Sequence, residues 1–183
     1  ESVASLTLLS TPPSLSRWMD DRRAALAQLD ATSRSILQQG EEDLEFRKTG
    51  EYGSAYDTYR RRFYSTKLPE CITLAAPLES KEVEQAMLGA QRFQEGGALK
   101  GWNVEARLND LKVPVLLTRG KDDVISQQTT DLMQNAIPSA QVETFVGGSC
   151  SHIDDWEYFL EVVDNFMTEK EGSGAGDASL GIR

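Results

Sequence analysis

The stretch LKVPVLLTRGKDD, residues 111–123, places a continuous apolar run directly before a polar turn. The run from Val113 to Thr118 lacks the alternation of a half-exposed strand, so it predicts a strand buried on both faces of a parallel sheet. A second strand is predicted over Gln141 to Val146. Helical patterns follow the two strands, over Asp131 to Ala136 and Trp156 to Met167. Strands and helices alternating at this spacing predict an α/β fold with a right-handed parallel crossover.

The chain upstream of this segment has a different composition. Val3 to Leu9 predicts one further strand, which Ser-Thr-Pro-Pro at 10–13 ends. The sequence from Leu15 to Leu99 favours helices, and the last of these is predicted over Ser80 to Phe93, ended by the glycines at 96–97.

These patterns divide the chain into four parts. Residues 1–12 form a core strand, 13–100 a helical cap, 101–168 the remaining part of the core, and the Gly/Ser/Ala-rich residues 169–183 a disordered tail. The chain begins at Glu1 with no targeting signal before it, so we expect a fragment of a longer protein, with a cytoplasmic location.

The composition excludes several classes of function. The net charge is −10, from 29 acidic and 19 basic residues, which argues against nucleic acid or an anionic membrane as a partner. One histidine and two cysteines predict no zinc or iron site, and we expect no cofactor. The sequence contains no run of 18 apolar residues, so it predicts no membrane-spanning helix.

Two polar loops follow the predicted strands of the α/β segment. They read RGKDDVI at 119–125 and GGSCSHIDD at 147–155, and the second contains His152, the only histidine. Ligands bind at the carboxyl ends of parallel strands, so an aspartate from the first loop and His152 are predicted to meet there. A carboxylate in that place fixes the imidazole tautomer and stabilises the imidazolium. Asp154 and Asp155 are predicted to cap the helix that follows.

The segments LKVPVLLTRGKDD, IPSAQVETF and SHIDDWEYFLEVVDNFM resemble the C-terminal third of the α/β-hydrolase superfamily. Within it the chain most resembles the proline iminopeptidase branch, from Glu1 to about Met167. The resemblance implies an α/β-hydrolase fold with an inserted helical cap. It also implies a serine hydrolase that releases an N-terminal residue, preferably proline, from a small peptide through an acyl-enzyme. Gly120 begins a G-x-x-D turn, which implies Asp123 as the catalytic acid, with Asp122 as the alternative, and His152 as the catalytic base.

The sequence departs from the iminopeptidase pattern at the position after Asp123. Iminopeptidases commonly carry an acidic residue there that holds the substrate's amino group, whereas this chain has Val124. A desolvated ammonium needs a carboxylate partner, so another acid is required. The candidates in the cap are Glu42, Glu45, Glu51 and Glu70.

A second departure concerns the nucleophile. No G-x-S-x-G occurs in the 183 residues. The family order places the nucleophile and the oxyanion hole upstream of Glu1, so the chain alone is expected to be inactive. The alternatives are another amide, ester or epoxide hydrolase, or a non-catalytic binding protein of the same fold.

Overall fold

The computed structural model describes residues 3–67 and 80–174, in which three parallel strands form one sheet. The strands are β1 (Leu6–Leu9), β2 (Val115–Gly120) and β3 (Ala140–Phe145), and β2 lies in the centre. Leu6 pairs with Val115, and Val115 pairs with Ala140 on its other side. The α/β fold and its three strands are therefore confirmed, although β1 begins three residues later than predicted.

The central strand is buried along its whole length, as the apolar run predicts. Successive side chains of a strand point to opposite faces. One face packs against a core formed by Leu108, Val115, Leu117, Met133 and Ile137. The burial of both faces explains why this strand needs apolar residues at every position.

Four α-helices lie between β1 and β2 in the described residues: α1 (Leu15–Ala27), α2 (Ala31–Glu42), α3 (Gly50–Phe63) and α4 (Lys81–Leu88). Short 3₁₀ segments occur at Phe46–Lys48 and Glu105–Asp110. Each α-helix begins after a residue whose side-chain oxygen accepts an amide hydrogen of the first turn. These capping residues are Ser14, Asp30, Thr49 and Ser80.

Helix α4 ends at Leu88, so the predicted end at Phe93 is wrong. Gly89 follows the helix with φ of +90°, a backbone conformation that glycine adopts without strain and that ends the helical hydrogen bonding. The helix therefore ends before Gly89, ahead of the pair at Gly96 and Gly97 that the sequence pattern indicates as the stop.

The helices pack around a row of aromatic rings on α3. Tyr52 stacks on Tyr56 and Tyr56 on Tyr59, each with ring centroids 6.0 Å apart, and Tyr59 contacts Phe63 at 5.2 Å. Their spacing of three or four residues places the rings on one side of the helix. Val124, from the loop after β2, belongs to the same core cluster and joins the helices to the sheet.

Three helices lie beyond β2: α5 (Gln127–Ala136), α6 (Ser151–Asp154) and α7 (Trp156–Gly174). Helix α5 contains the segment predicted to be helical, Asp131 to Ala136, and it begins at Gln127 because Ser126 caps it and accepts the Thr129 amide. Helix α7 continues past Glu169, where the sequence predicts the tail to begin. Residues 175–183 and Glu70 lie outside the described residues. In the described part, no helix combines the length and hydropathy needed to cross a bilayer.

Candidate active site

The loops that follow β2 and β3 contact each other at the carboxyl edge of the sheet. The Lys121 amide donates to the Phe145 carbonyl, and the Asp122 amide donates to the Gly147 carbonyl, both at 2.9 Å. These bonds extend the pairing of β2 and β3 beyond the strands. The loops at 119–125 and 147–155 are therefore in direct contact, as the sequence predicts.

Two glycines make this contact possible. A Cβ atom on Gly120 would lie 2.1 Å from the Gly148 carbonyl oxygen, so no side chain fits at position 120. Gly147 has φ of +94°, and a Cβ there would lie 2.2 Å from the Asp154 carboxylate. Glycine supplies both the close approach and the left-handed backbone.

Asp123 is buried, with 8% of its surface exposed, and both carboxylate oxygens are held. The Ser149 hydroxyl donates to Oδ1 at 2.6 Å, and the Ser10 hydroxyl donates to Oδ2 at 2.6 Å. The Ile125 amide donates to Oδ1 at 2.9 Å, and the Gly120 amide donates to Oδ2 at 3.1 Å. These four donors fix the orientation of the carboxylate.

Asp122, the alternative acid, is exposed. Its side chain therefore lacks the burial that gives Asp123 a fixed position. A cavity of about 210 Å³ lies between α1 and the loop after β2, and both aspartates line it together with Phe63 and Val124, so burial and not access separates the two. Of the two aspartates, the geometry favours Asp123 as an orienting carboxylate.

His152 lies in the single turn of α6 and is exposed, with its ring centroid 6.0 Å from that of Phe159. Partial burial lowers the pKa of the imidazole below 6.5, and the nearby Asp154 carboxylate opposes that effect. A neutral imidazole is the form that accepts a proton at neutral pH. Among the described residues, no hydrogen bond joins His152 to Asp123. The structure thus brings the two loops together without forming the carboxylate–imidazole contact.

Asp154 has a different role from the one predicted. Its carboxylate does not cap α7; it accepts hydrogen bonds from the Ser65 hydroxyl at 2.7 Å and the Thr66 amide at 3.1 Å. The Gly148 amide also donates to it, at 3.3 Å. Asp154 therefore ties the segment after α3 to the loop that carries His152.

The end of α3 makes further backbone contacts with the same loop. The Ser149 amide donates to the Phe63 carbonyl at 2.9 Å, and the Cys150 amide donates to the Tyr64 carbonyl at 2.7 Å. These contacts position the turn just before His152. The end of α3 therefore helps to position the loop that carries the imidazole.

Sequence reasoning missed three residues of this site: Ser10, Ser149 and Asp154. In the described residues, Ser10 is the one non-glycine residue with a positive φ, at 44°, an unusual backbone conformation that the structure reveals. The sequence shows only a serine before Pro-Pro, which is typical of a turn. Nothing in the local pattern indicates that its hydroxyl reaches Asp123.

The predicted ammonium-binding acids of the cap are exposed wherever the structure describes them. Glu42 and Glu51 lie on the surface, and Glu45 forms an exposed ion pair with Lys48 at 2.7 Å. Glu70 lies outside the described residues. Val124, at the position where iminopeptidases carry an acid, is 3% exposed and packs in the core.

Comparison with solved structures identifies the architecture. The chain superposes on the proline iminopeptidase of Mycobacterium smegmatis with a TM-score of 0.83 and 26% identity, over 93% of this chain and 58% of that one. The chain has an α/β-hydrolase fold. VinJ shares this fold with a TM-score of 0.79 and 23% identity, over 90% of this chain and 57% of that one.

Curated sequences show the same resemblance. The α/β-hydrolase chain is 22% identical to the proline iminopeptidase of Lacticaseibacillus rhamnosus (strain Lc 705), over 93% of this chain and 60% of the relative. It is 28% identical to that of Lactobacillus delbrueckii subsp. bulgaricus, over 84% of this chain and 52% of the relative. The chain therefore spans between about half and three fifths of the length of these relatives. No known protein-family profile matches the sequence.

Proposed function

We propose that this chain forms part of a serine hydrolase of the proline iminopeptidase type. The observation that supports this most strongly is the likeness to the Mycobacterium smegmatis proline iminopeptidase, with a TM-score of 0.83 at 26% identity. The meeting of the Asp123 and His152 loops at one sheet edge supports it further. The enzyme releases an N-terminal residue, preferably proline, from a small peptide.

In the proposed mechanism His152 acts first as the base and then as the acid. It takes the proton of a nucleophilic serine, which attacks the scissile carbonyl, and returns that proton to the leaving amine. Asp123 holds the imidazole in the correct tautomer. Because no G-x-S-x-G occurs in these 183 residues, we place the nucleophile and the oxyanion hole on a segment outside this chain. The 183-residue chain alone then has no hydrolase activity.

The proposal requires one exchange of hydrogen-bond donors at Asp123. Ser149, which now donates to Oδ1 at 2.6 Å, precedes His152 by three residues in the same loop. In the active arrangement the Nδ1–H of His152 replaces this hydroxyl. Because His152 is exposed, no packed side chain has to move for its imidazole to turn toward Asp123.

A hydrolase of other small amides or esters is the second candidate. The observation that favours it is the buried Val124, which occupies the position of the expected ammonium-binding acid. A pocket without a carboxylate does not compensate a desolvated ammonium. This candidate keeps His152 and Asp123 in the same roles and changes only the substrate.

A comparison of substrates separates the two candidates in the full-length natural protein. We expect turnover of proline p-nitroanilide and none of its N-acetylated form, because the free amine is needed for binding. Asp123→Asn should lower kcat by about 10³- to 10⁴-fold, as expected when the imidazole loses its orienting carboxylate. The matched variant Asp122→Asn should keep wild-type kcat. Hydrolysis of p-nitrophenyl butyrate without cleavage of proline p-nitroanilide would instead favour the second candidate.

A further inference from the structure

Arg22 is a buried arginine in the middle of the cap. It lies on α1 with 5% of its surface exposed. Its guanidinium carbon is 5.0 Å from the ring centroid of Trp18 and 5.4 Å from that of Phe93. Such cation–π contacts stabilise the guanidinium but do not neutralise its charge.

In the described part of the chain, the Arg22 guanidinium has no ion-pair partner. Across residues 3–67 and 80–174, no aspartate or glutamate forms an ion pair with it, and its buried Nε has no hydrogen-bond partner. Arginine stays protonated in proteins, so the charge persists. An uncompensated buried charge is costly, which indicates that a ligand supplies the missing anion.

A cavity of about 250 Å³ lies beside Arg22, and three other cations line it. Each of these three has a carboxylate of its own: Glu41 for Arg47, Glu45 for Lys48 and Glu84 for Arg92. Arg22 is the cation in this lining that has no ion-pair partner among the described residues. Among the described residues, ion pairs therefore compensate three of the four cations in this lining, and the remaining charge of Arg22 matches a ligand with a single negative charge.

The other residues that line the cavity indicate the chemistry of the uncharged part of that ligand. Met19, Leu44 and Leu88 line the cavity and offer apolar contacts. The volume lies just below the roughly 300 Å³ at which pockets for drug-sized molecules begin. A small molecule with an apolar body and one anionic end fits these walls.

We propose that this cap cavity binds a small monocarboxylic acid, whose carboxylate accepts hydrogen bonds from the Arg22 guanidinium. The planar guanidinium presents parallel N–H donors that match the two carboxylate oxygens. A single excess charge favours a carboxylate over a phosphate dianion. The site does not involve Asp123 or His152 and does not rest on the proposed peptidase activity.

The binding test uses the full-length natural protein and straight-chain carboxylates. Isothermal titration with sodium hexanoate should show binding at one site, and hexanamide, which has the same shape without the charge, should not bind. Hexanoate should also change the fluorescence of Trp18, which contacts the Arg22 guanidinium. Absence of hexanoate binding, equal binding of hexanamide, or preferential binding of inorganic phosphate would each overturn the proposal.

Two variants test the role of Arg22 itself. Arg22→Met should weaken hexanoate binding by about tenfold or more, since a hydrogen-bonded charge pair is lost. The same variant should melt at a higher temperature than wild type without ligand, because it removes an uncompensated buried charge. Arg107→Gln is the control: Arg107 pairs with Asp110 at the surface and does not line the cavity, so this variant should bind hexanoate normally. A folded Arg22→Met that binds hexanoate like wild type refutes the assignment, and so does one that melts lower than wild type.

Discussion

Replacing Asp154 with alanine removes the side chain that ties the end of α3 to the loop carrying the imidazole. The Asp154 carboxylate accepts hydrogen bonds from the Ser65 hydroxyl at 2.7 Å and the Thr66 amide at 3.1 Å. Longer bonds reach it from the amides of Lys67 and Gly148, each at 3.3 Å. The variant therefore tests whether this one carboxylate holds the two segments together.

The loss of unfolding free energy depends on which of these donors can form a hydrogen bond with water once the carboxylate is removed. Ser65 is 1% exposed, and its hydroxyl loses an acceptor inside the protein, which costs about 1–3 kcal/mol. Thr66 and Lys67 are exposed, so water replaces the carboxylate at their amides at little cost. We expect the free energy of unfolding to fall by about 2–3 kcal/mol, which corresponds to about 4–12 °C in Tm for a domain of this size.

Thermal denaturation followed by circular dichroism measures this change. Asp110→Ala is the matched control, since its carboxylate is 67% exposed and forms a surface pair with Arg107. That control should lower the free energy of unfolding by less than about 0.5 kcal/mol. If Asp154→Ala melts at the same temperature as Asp110→Ala, the carboxylate does not hold the two segments, and the reasoning is refuted.

Three further predictions concern single residues. His152 is the only histidine of the 183 residues, so this chain gives a single pair of imidazole C–H resonances, Hε1 and Hδ2, in NMR, and their titration midpoint should lie below 6.5 because partial burial lowers the pKa of His152. Its contribution to stability is then present above pH 6.5 and lost as the pH falls through the folded-state pKa; a midpoint at or above 6.5 contradicts this. Gly147→Ala should lower the free energy of unfolding by about 2–4 kcal/mol in urea, because a positive φ and a clash with Asp154 coincide there; an unchanged urea midpoint contradicts this. Glu41→Ala should cost about 3–5 kcal/mol by stranding a mostly buried arginine, while the exposed Glu45→Ala changes stability little; equal losses contradict this.

The sheet could be predicted from the sequence because its signal is local. The apolar run from Val113 to Thr118 has charged residues on both sides, and a short run of this kind indicates a buried strand. The observed strand, Val115–Gly120, is displaced by two residues because pairing with β3 continues to Gly120. The polar loops after the two strands could be placed for the same reason, since parallel strands end at one edge.

The contacts within the site could not be predicted because they join residues far apart in the sequence. Ser10 and Asp123 are 113 residues apart, and Ser65 and Asp154 are 89 residues apart. An aspartate just before a helix is equally compatible with capping that helix and with a hydrogen bond to a distant segment. The sequence around Asp154 does not distinguish these two roles. Arg22 likewise resembles any helix-surface arginine until the fold encloses it.

The most direct test of the account is the activity of the His152→Ala variant of the full-length natural protein toward proline p-nitroanilide. We expect kcat to fall by about 10⁴-fold or more, because the serine loses its general base. The variant should keep the wild-type circular dichroism spectrum, since the imidazole is exposed. A folded His152→Ala protein that cleaves the substrate at the wild-type rate would contradict the central claim.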